Sequence, residues 1–282
     1  MKISYLISTY KSERFMDRRL RNLLSEQDDS DNEVIVIDSA SPENEKEIVE
    51  KWQAIYPDRL KYIRQEERTP YGVSWIRGWQ IACGDFVCNA NTDDFADPRF
   101  TGVVHKEFTE VINQNKILRW CRDIGFAYTG IIVLNESGQV LSRGIKPKFD
   151  FDEYSHTCWG GPMLIWRNDK KFRESLNWDH MLIRAFQHRS AFDYWLALYF
   201  MSLGYHGYSI QELLTIYTQR PESIENSAPK VNNYETYASI SEFFPHNFSS
   251  YLKHAKEFSD FSNLPPKQEW VEVAKSGKKW SI

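Results

Sequence analysis

An α/β fold built on a mainly parallel, twisted sheet flanked by helices is predicted by three observations. Compact apolar runs rich in β-branched residues recur at 3–9, 33–39, 60–65 and 84–94. Segments with apolar residues at helical spacing lie between them. The alternation then stops near residue 115, where a mixed second half begins. Strands that alternate with helices can pair in parallel only through right-handed crossovers, which bury both faces of the sheet.

Each element has its own signal. ISYLIST (3–9) is a short β-branched run and reads as a buried strand. Phe15, Met16, Leu20, Leu23 and Leu24 follow at helical spacing. EVIVIDS (33–39) is a second strand, and Ser41-Pro42-Glu43 reads as a helix start, with Ser as cap and Pro in the first turn. LKYIRQ (60–65) is the third strand. A helix through Val73, Ile76, Gln80 and Ile81 leads to the fourth, in GDFVCNANTDD (84–94). Asp97-Pro98 opens an amphipathic helix carrying Phe100, Val103, Val104, Phe108 and Val111. Beyond it, ILRWC and AYTGIIVLN read as strands, and Glu136-Ser137-Gly138 as a turn into QVLSR. The charged, aromatic stretch from Pro147 to Ser155 reads as an exposed loop, PMLIWR (162–167) as a strand, and 190–203 as an apolar helix ending at Gly204.

Composition narrows the class. A net charge of -4 argues against general nucleic-acid binding. The four cysteines have no paired close spacing and read as free thiols of a reducing compartment. The opening MKISYLISTYKSERF is a strand and not a leader, and no apolar run approaches the ~20 residues a membrane span requires. The ten tryptophans admit two readings, flat platforms for a carbohydrate or core filling, and the second is the commoner fate of the residue.

Ligands of open α/β sheets sit beyond the carboxyl ends of the strands. Those ends carry Ser8-Thr9-Tyr10, Asp38-Ser39 and Thr92-Asp93-Asp94, a polar rim. Adjacent Asp93 and Asp94 repel each other unless solvated or neutralised, and hard oxygen ligands suit Mg2+ or Mn2+. An acidic turn capping a helix accounts for the pair equally well. Asp38 reads as a turn starter or a nucleobase partner, and Arg77 as a surface charge or a cation facing phosphates. Asp193, in AFDYWLAL, reads as a general base in apolar surroundings, or as part of a capping box begun by Ser190.

Taken together, these segments resemble the family 2 glycosyltransferases of the GT-A fold, in order and spacing over roughly 1–225. ISYLISTYKSE, EVIVIDSAS, YGVSWIRGWQIACGDFV, NTDD and AFDYWLAL carry the resemblance. It implies a GT-A-like domain over 1–225, with a nucleotide-binding half (1–115), an acceptor half (116–225) and a helical C-terminal extension (226–282). It implies that Thr9, Tyr10, Glu13 and Asp38 line the nucleoside pocket, with Asp93 on the ribose and Asp94 holding Mn2+ or Mg2+ on the diphosphate. Arg77 would face the donor, and Asp193 would deprotonate the acceptor hydroxyl. Trp159, Gly160 and Gly161 would form the acceptor floor.

The implied activity is inverting transfer from a nucleotide diphosphate sugar, UDP-linked before others, to a glycan or lipid-linked acceptor in surface-glycan biosynthesis. The implied setting is the cytoplasm, with peripheral contact at the inner membrane face left open. Four positions depart from the family pattern: Asn91, Gly78, Phe192 and Arg220. The last stands near a place where relatives carry a metal-binding His, so Arg220 could meet the diphosphate itself. Two other readings compete. One is a nucleotidyltransferase, disfavoured because ISTYKSE lacks a glycine-rich phosphate loop. The other is a non-catalytic descendant that binds a nucleotide sugar or a glycan.

Overall fold

The computed structural model describes residues 2–118, 123–157, 161–188 and 190–221, together with 236, 239, 240 and 242–244. The first half follows the predicted rhythm: β1 (Ile3–Thr9), α1 (Glu13–Leu24), β2 (Asn32–Asp38), α2 (Glu45–Ile55), β3 (Leu60–Arg64), α3 (Tyr71–Ile81) and β4 (Phe86–Asn89). The second half holds β5 (Phe95–Ala96), α4 (Phe100–Leu118), β6 (Ile124–Asn135), β7 (Val140–Gly144), α5 (Phe151–Thr157) and β8 (Ile165–Arg167). It ends with α6 (Lys170–Glu174), α7 (Trp178–Gln187), α8 (Phe192–Ser202) and β9 (His206–Gln219).

All strands join one sheet, in the order β3-β2-β1-β4-β8-β6-β9-β5, with β7 on β6. β3, β2, β1 and β4 are parallel, and β8 enters antiparallel on both of its neighbours. The register sets Thr9 beside Asp38 and Asp38 beside Arg64, so polar strand ends share one rim. The two predicted halves are thus parts of one sheet.

Strand alternation sorts the core into two layers. Tyr5, Ile7, Val34 and Val36 pack with Met16, Leu20 and Leu23 of α1 and Phe100 and Phe108 of α4. Leu6, Ile35, Ile37 and Val87 face the opposite way, onto Val73 and Ile76 of α3 and the apolar α8. Trp79, Trp166 and Trp195 are fully buried in that second layer, which answers the tryptophan question for these three in favour of core.

Glycine permits the tightest contact between these helices. A Cβ on Gly72 of α3 would lie 2.5 Å from Cδ1 and 2.8 Å from Cγ of Phe192. The Phe192 ring is fully buried and stacks on Trp195 at 5.6 Å, so it has nowhere to retreat. Gly72→Ala is therefore expected to destabilise the protein by about 1–3 kcal/mol, despite the better helix propensity of Ala. A lower urea midpoint at unchanged slope would show it, and an unchanged midpoint would mean that α3 and α8 are not in this contact.

Several expectations are corrected. The second helix begins at Glu45, and its N-cap residue Asn44 makes no side-chain cap. Ser41 is committed elsewhere: its Oγ donates to Glu45 and accepts from Lys11 N–H. The stretch at 147–155 is an exposed loop only over 147–150, because α5 begins at Phe151 and Tyr154 is buried against Phe126 and Phe149. Ile117 and Leu118 belong to α4, not to a strand, and the rest of ILRWC lies outside the described residues. The N-cap of α8 is Ala191 without a side-chain bond, so Ser190 starts no capping box. Of the C-terminal extension only 236, 239, 240 and 242–244 are described. Ile240 and Phe244 pack in the α8 layer, and Glu242 accepts from Trp195 Nε1.

Candidate donor-binding site

The rim where β1, β2 and β4 end is built from two sharp turns held together by a buried carboxylate. Lys11 and Ala40, each two residues beyond its strand, adopt left-handed φ of 54°, a conformation that costs energy in non-glycine residues. Glu45 holds both turns. Its Oε1 accepts from Ser12 N–H at 2.8 Å, Ser41 Oγ at 2.7 Å and Thr9 Oγ1 at 3.4 Å. Thr9 and Glu45 are both buried. Glu13, at the start of α1, accepts from Asn44 N–H, and Glu43 accepts from Glu13 N–H.

Asp38 is fully buried, and both its oxygens are engaged by the protein. Oδ1 accepts from Ser41 N–H at 2.7 Å, while Oδ2 accepts from Tyr62 Oη and Arg64 Nη1, both at 2.5 Å. The residue organises the β2–α2 turn and fixes Arg64 beside it. Tyr10 carries a cation on its ring, with the Arg68 guanidinium 4.2 Å from the centroid.

The acidic pair follows β4. Asp93 meets Arg220, with Nε at 2.8 Å and Nη2 at 2.5 Å from Oδ2, the two side chains being 14% and 18% exposed. Asp94 is fully buried, and Oδ2 accepts from Asn91 Nδ2 at 2.9 Å. Its Oδ1 accepts from Thr218 N–H at 3.3 Å, which pins the end of β9 to this loop. Burial, and then the Asp93 carboxylate, push the Asp94 carboxyl up to about 7. Arg19 lies fully buried on α1 and is the counter-charge from within, its Nη1 donating to Asn22 and its Nη2 facing Met163 Sδ.

A divalent cation on Asp94 is the expectation, and in this structure that carboxylate is buried and held by the protein. Both Asp94 oxygens already accept hydrogen bonds, and Asp93 is committed to Arg220. Among the described residues no three His, Cys, Asp or Glu side chains are grouped so as to hold a metal. Two carboxylates face two guanidiniums, Arg19 and Arg220.

Asp193 stands in the first turn of α8, half-buried between the fully buried side chains of Phe192 and Tyr194. It accepts from Tyr194 N–H. The turn before it is moored to the rim by Tyr71, the first residue of α3. The Tyr71 hydroxyl donates to Ser190 C=O and accepts from Phe192 N–H. Gly72 beside it lets Phe192 close in, which explains an aromatic residue at that position.

Other predicted residues fare differently. Arg77 is exposed, six residues along α3 from Tyr71 and so about 9 Å down the axis from the rim. The structure does not bring it to the acidic pair. Gly161 is in a left-handed turn, with φ 65°, before β8, while Trp159 and Gly160 lie outside the described residues. Residues passed over in the sequence take their place: Lys11, Arg14, Arg68 and Glu45 at the rim. Asn89 was passed over too. It is buried at the end of β4, on the α3 and α8 side of the sheet, and neither atom of its side-chain amide has a hydrogen-bond partner. A count of cations between the strand ends could have flagged Arg68. Nothing in the sequence marks Asn89 or Glu45.

A parallel half-sheet with an acidic pair at its rim and an antiparallel insertion after it defines a GT-A-type fold. Residues 4–110, less than half of the chain, match the family model described as Glycosyl transferase family 2. The putative glycosyltransferase EpsE of Bacillus subtilis is 25% identical over 220 residues, 76% of this chain and 71% of that protein. Other curated relatives, 32% and 33% identical, are matched over only about a third of their length. Among solved structures, Staphylococcus aureus TarS in complex with UDP superposes with a TM-score of 0.61 at 20% identity, covering 95% of this chain and 77% of that one. The mannosyltransferase PcManGT of Pyrobaculum calidifontis, in complex with GDP-Man and Mn2+, gives 0.57 at 17% identity, covering 98% and 73%. At such identities the likeness speaks for the fold. No helix of the described residues is long and apolar enough to cross a membrane.

Proposed function

We propose that this protein is an inverting glycosyltransferase that moves a sugar from a nucleoside diphosphate donor, UDP-linked before others, to a hydroxyl of a glycan or lipid-linked acceptor. The observation that carries the reading is the mooring of Asp193. One tyrosine hydroxyl, Tyr71, ties the turn that bears this carboxylate to the rim where Thr9 and Asp38 end their strands and Asp93 follows β4. A base on a helix start, set against a polar pocket, is the arrangement that general-base transfer to a bound donor requires.

In that reaction the Asp193 carboxylate takes the proton of the acceptor hydroxyl. The acceptor oxygen bonds to the anomeric carbon from the face opposite the diphosphate. The bond from that carbon to the β-phosphate oxygen breaks, and its electron pair leaves with the nucleoside diphosphate. Tyr10 offers a ring for the base or ribose, and Asp93 is the ribose partner. Lys11, Arg14, Arg68 and Arg220 bring positive charge to the leaving group. PcManGT holds Mn2+ with GDP-Man, whereas the positive charge that this protein's own described side chains offer the leaving group is that of the arginines and Lys11. Surface-glycan biosynthesis in the cytoplasm is the setting this donor chemistry suits.

Thermal shift against UDP, GDP, CDP and ADP tests the donor site without a known acceptor, because a ligand that binds only the folded state raises Tm by linkage. One nucleoside diphosphate is expected to stabilise the protein well above the rest. No shift with any of them, with or without added Mn2+, would leave the rim without a nucleotide to hold.

A further inference from the structure

On the reading of this rim as a donor site, we propose that Arg220 is the side chain that binds the donor diphosphate, and that Asp93 holds it ready until the donor arrives. Arg220 follows directly on β9, whose end is pinned to the acidic loop by the Thr218 N–H bond to Asp94. The backbone beneath the guanidinium is therefore anchored. Its side chain lies over the ring of Phe15, 4.9 Å from the centroid, and Arg14 lies over the same ring at 4.5 Å. Arg14 in turn approaches Glu136 at 3.8 Å.

Two arginines on one ring, each offset by a carboxylate, face two clefts. One, of about 600 Å³, is lined by Gln219, Arg220, Asn135 and Glu136. The other, of about 460 Å³, is lined by Lys11, Glu13, Arg14 and Glu43. Volumes of this order suit a small ligand.

The chemistry of the exchange is direct. Nε and Nη2 of Arg220 both meet one oxygen of Asp93. A diphosphate offers more charge and several oxygens at the spacing the planar fork matches, so it competes well for the guanidinium. The carboxylate that Arg220 leaves becomes available to a ribose hydroxyl. Asp94 takes no part in the exchange, held as it is by Asn91 and the β9 backbone.

The test is calorimetric binding of UDP and UMP, which differ by the phosphate in question, to the parent, Arg220→Ala and Arg220→Lys, all with chelator present. The parent is expected to bind UDP at least ~10-fold tighter than UMP. Arg220→Ala should bring UDP to within about twofold of UMP, with Arg220→Lys between them because it keeps charge and loses the fork. The lysine variant decides the matter should Arg220→Ala melt early. Unchanged UDP affinity in both variants would overturn the proposal. So would UDP binding that vanishes in chelator and returns with Mn2+, since a metal would then carry the diphosphate. A parent that binds no nucleotide with or without Mn2+ would fell the donor-site reading itself, and this proposal with it.

Discussion

Asp193→Asn is expected to lower turnover by at least ~100-fold while nucleoside diphosphate affinity stays within about twofold. The substitution keeps size and the acceptor for Tyr194 N–H but cannot take up a proton. The Tyr71 mooring uses the backbone on either side of Ala191, so the turn should survive. A loss in kcat with intact donor binding separates this reading from that of a non-catalytic nucleotide-sugar binder, for which the substitution would change nothing. Near-parental transfer would remove Asp193 from the chemistry.

Asp94→Asn is expected to stabilise the protein, and to do so more at pH 8 than at pH 5. The Asp94 carboxyl is pushed up to about 7 in the folded protein from an ordinary 3.8, by burial first and by Asp93 next. Between those values the folded state holds more protons than the unfolded state, so parental stability falls as pH rises from about 4 to about 7. Above that range the full cost of the buried charge is present, and below 3.8 none of it is. The neutral amide never bears the cost. With Thr218 N–H as a fixed donor, the oxygen of the introduced amide faces the backbone, and Asn91 turns its own amide to present oxygen. A Tm gain of roughly 5 °C at pH 8 that shrinks toward pH 5 is the expected result. A gain independent of pH would show that Arg19 keeps Asp94 ionised throughout.

The legibility of this protein was uneven for physical reasons. β1, β2 and β4 were readable because a strand buried on both faces must be apolar almost throughout, and β2 is buried at all seven positions. β9 was not readable. HGYSIQELLTIYTQ mixes polar and apolar residues, and it is a strand because β6 and β5 supply partners on both sides. α5 was mistaken for a loop because its charges are exposed while Tyr154, its anchor, is a single residue. The departures at Gly78 and Phe192 became intelligible only as contacts. A Cβ on Gly78 would come within 3.0 Å of Leu6, and Phe192 fills the space that Gly72 leaves.

The sequence alone determined the α/β class, the rim residues Thr9, Asp38, Asp93 and Asp94, and the resemblance that pointed to Asp193. The class and the rim residues follow from local periodicity and from which side chains stand at or just beyond strand ends, neither of which depends on distant partners, while Asp193 rests on the likeness to the family. Only the tertiary structure decided what those side chains bind. It turned Asp38 toward Tyr62 and Arg64, closed Arg220 on Asp93, and buried Arg19 beneath Asp94. It also left Arg77 down the helix, away from the rim. Charge pairing acts over a few ångströms between residues up to 127 positions apart, and no local pattern records such a distance.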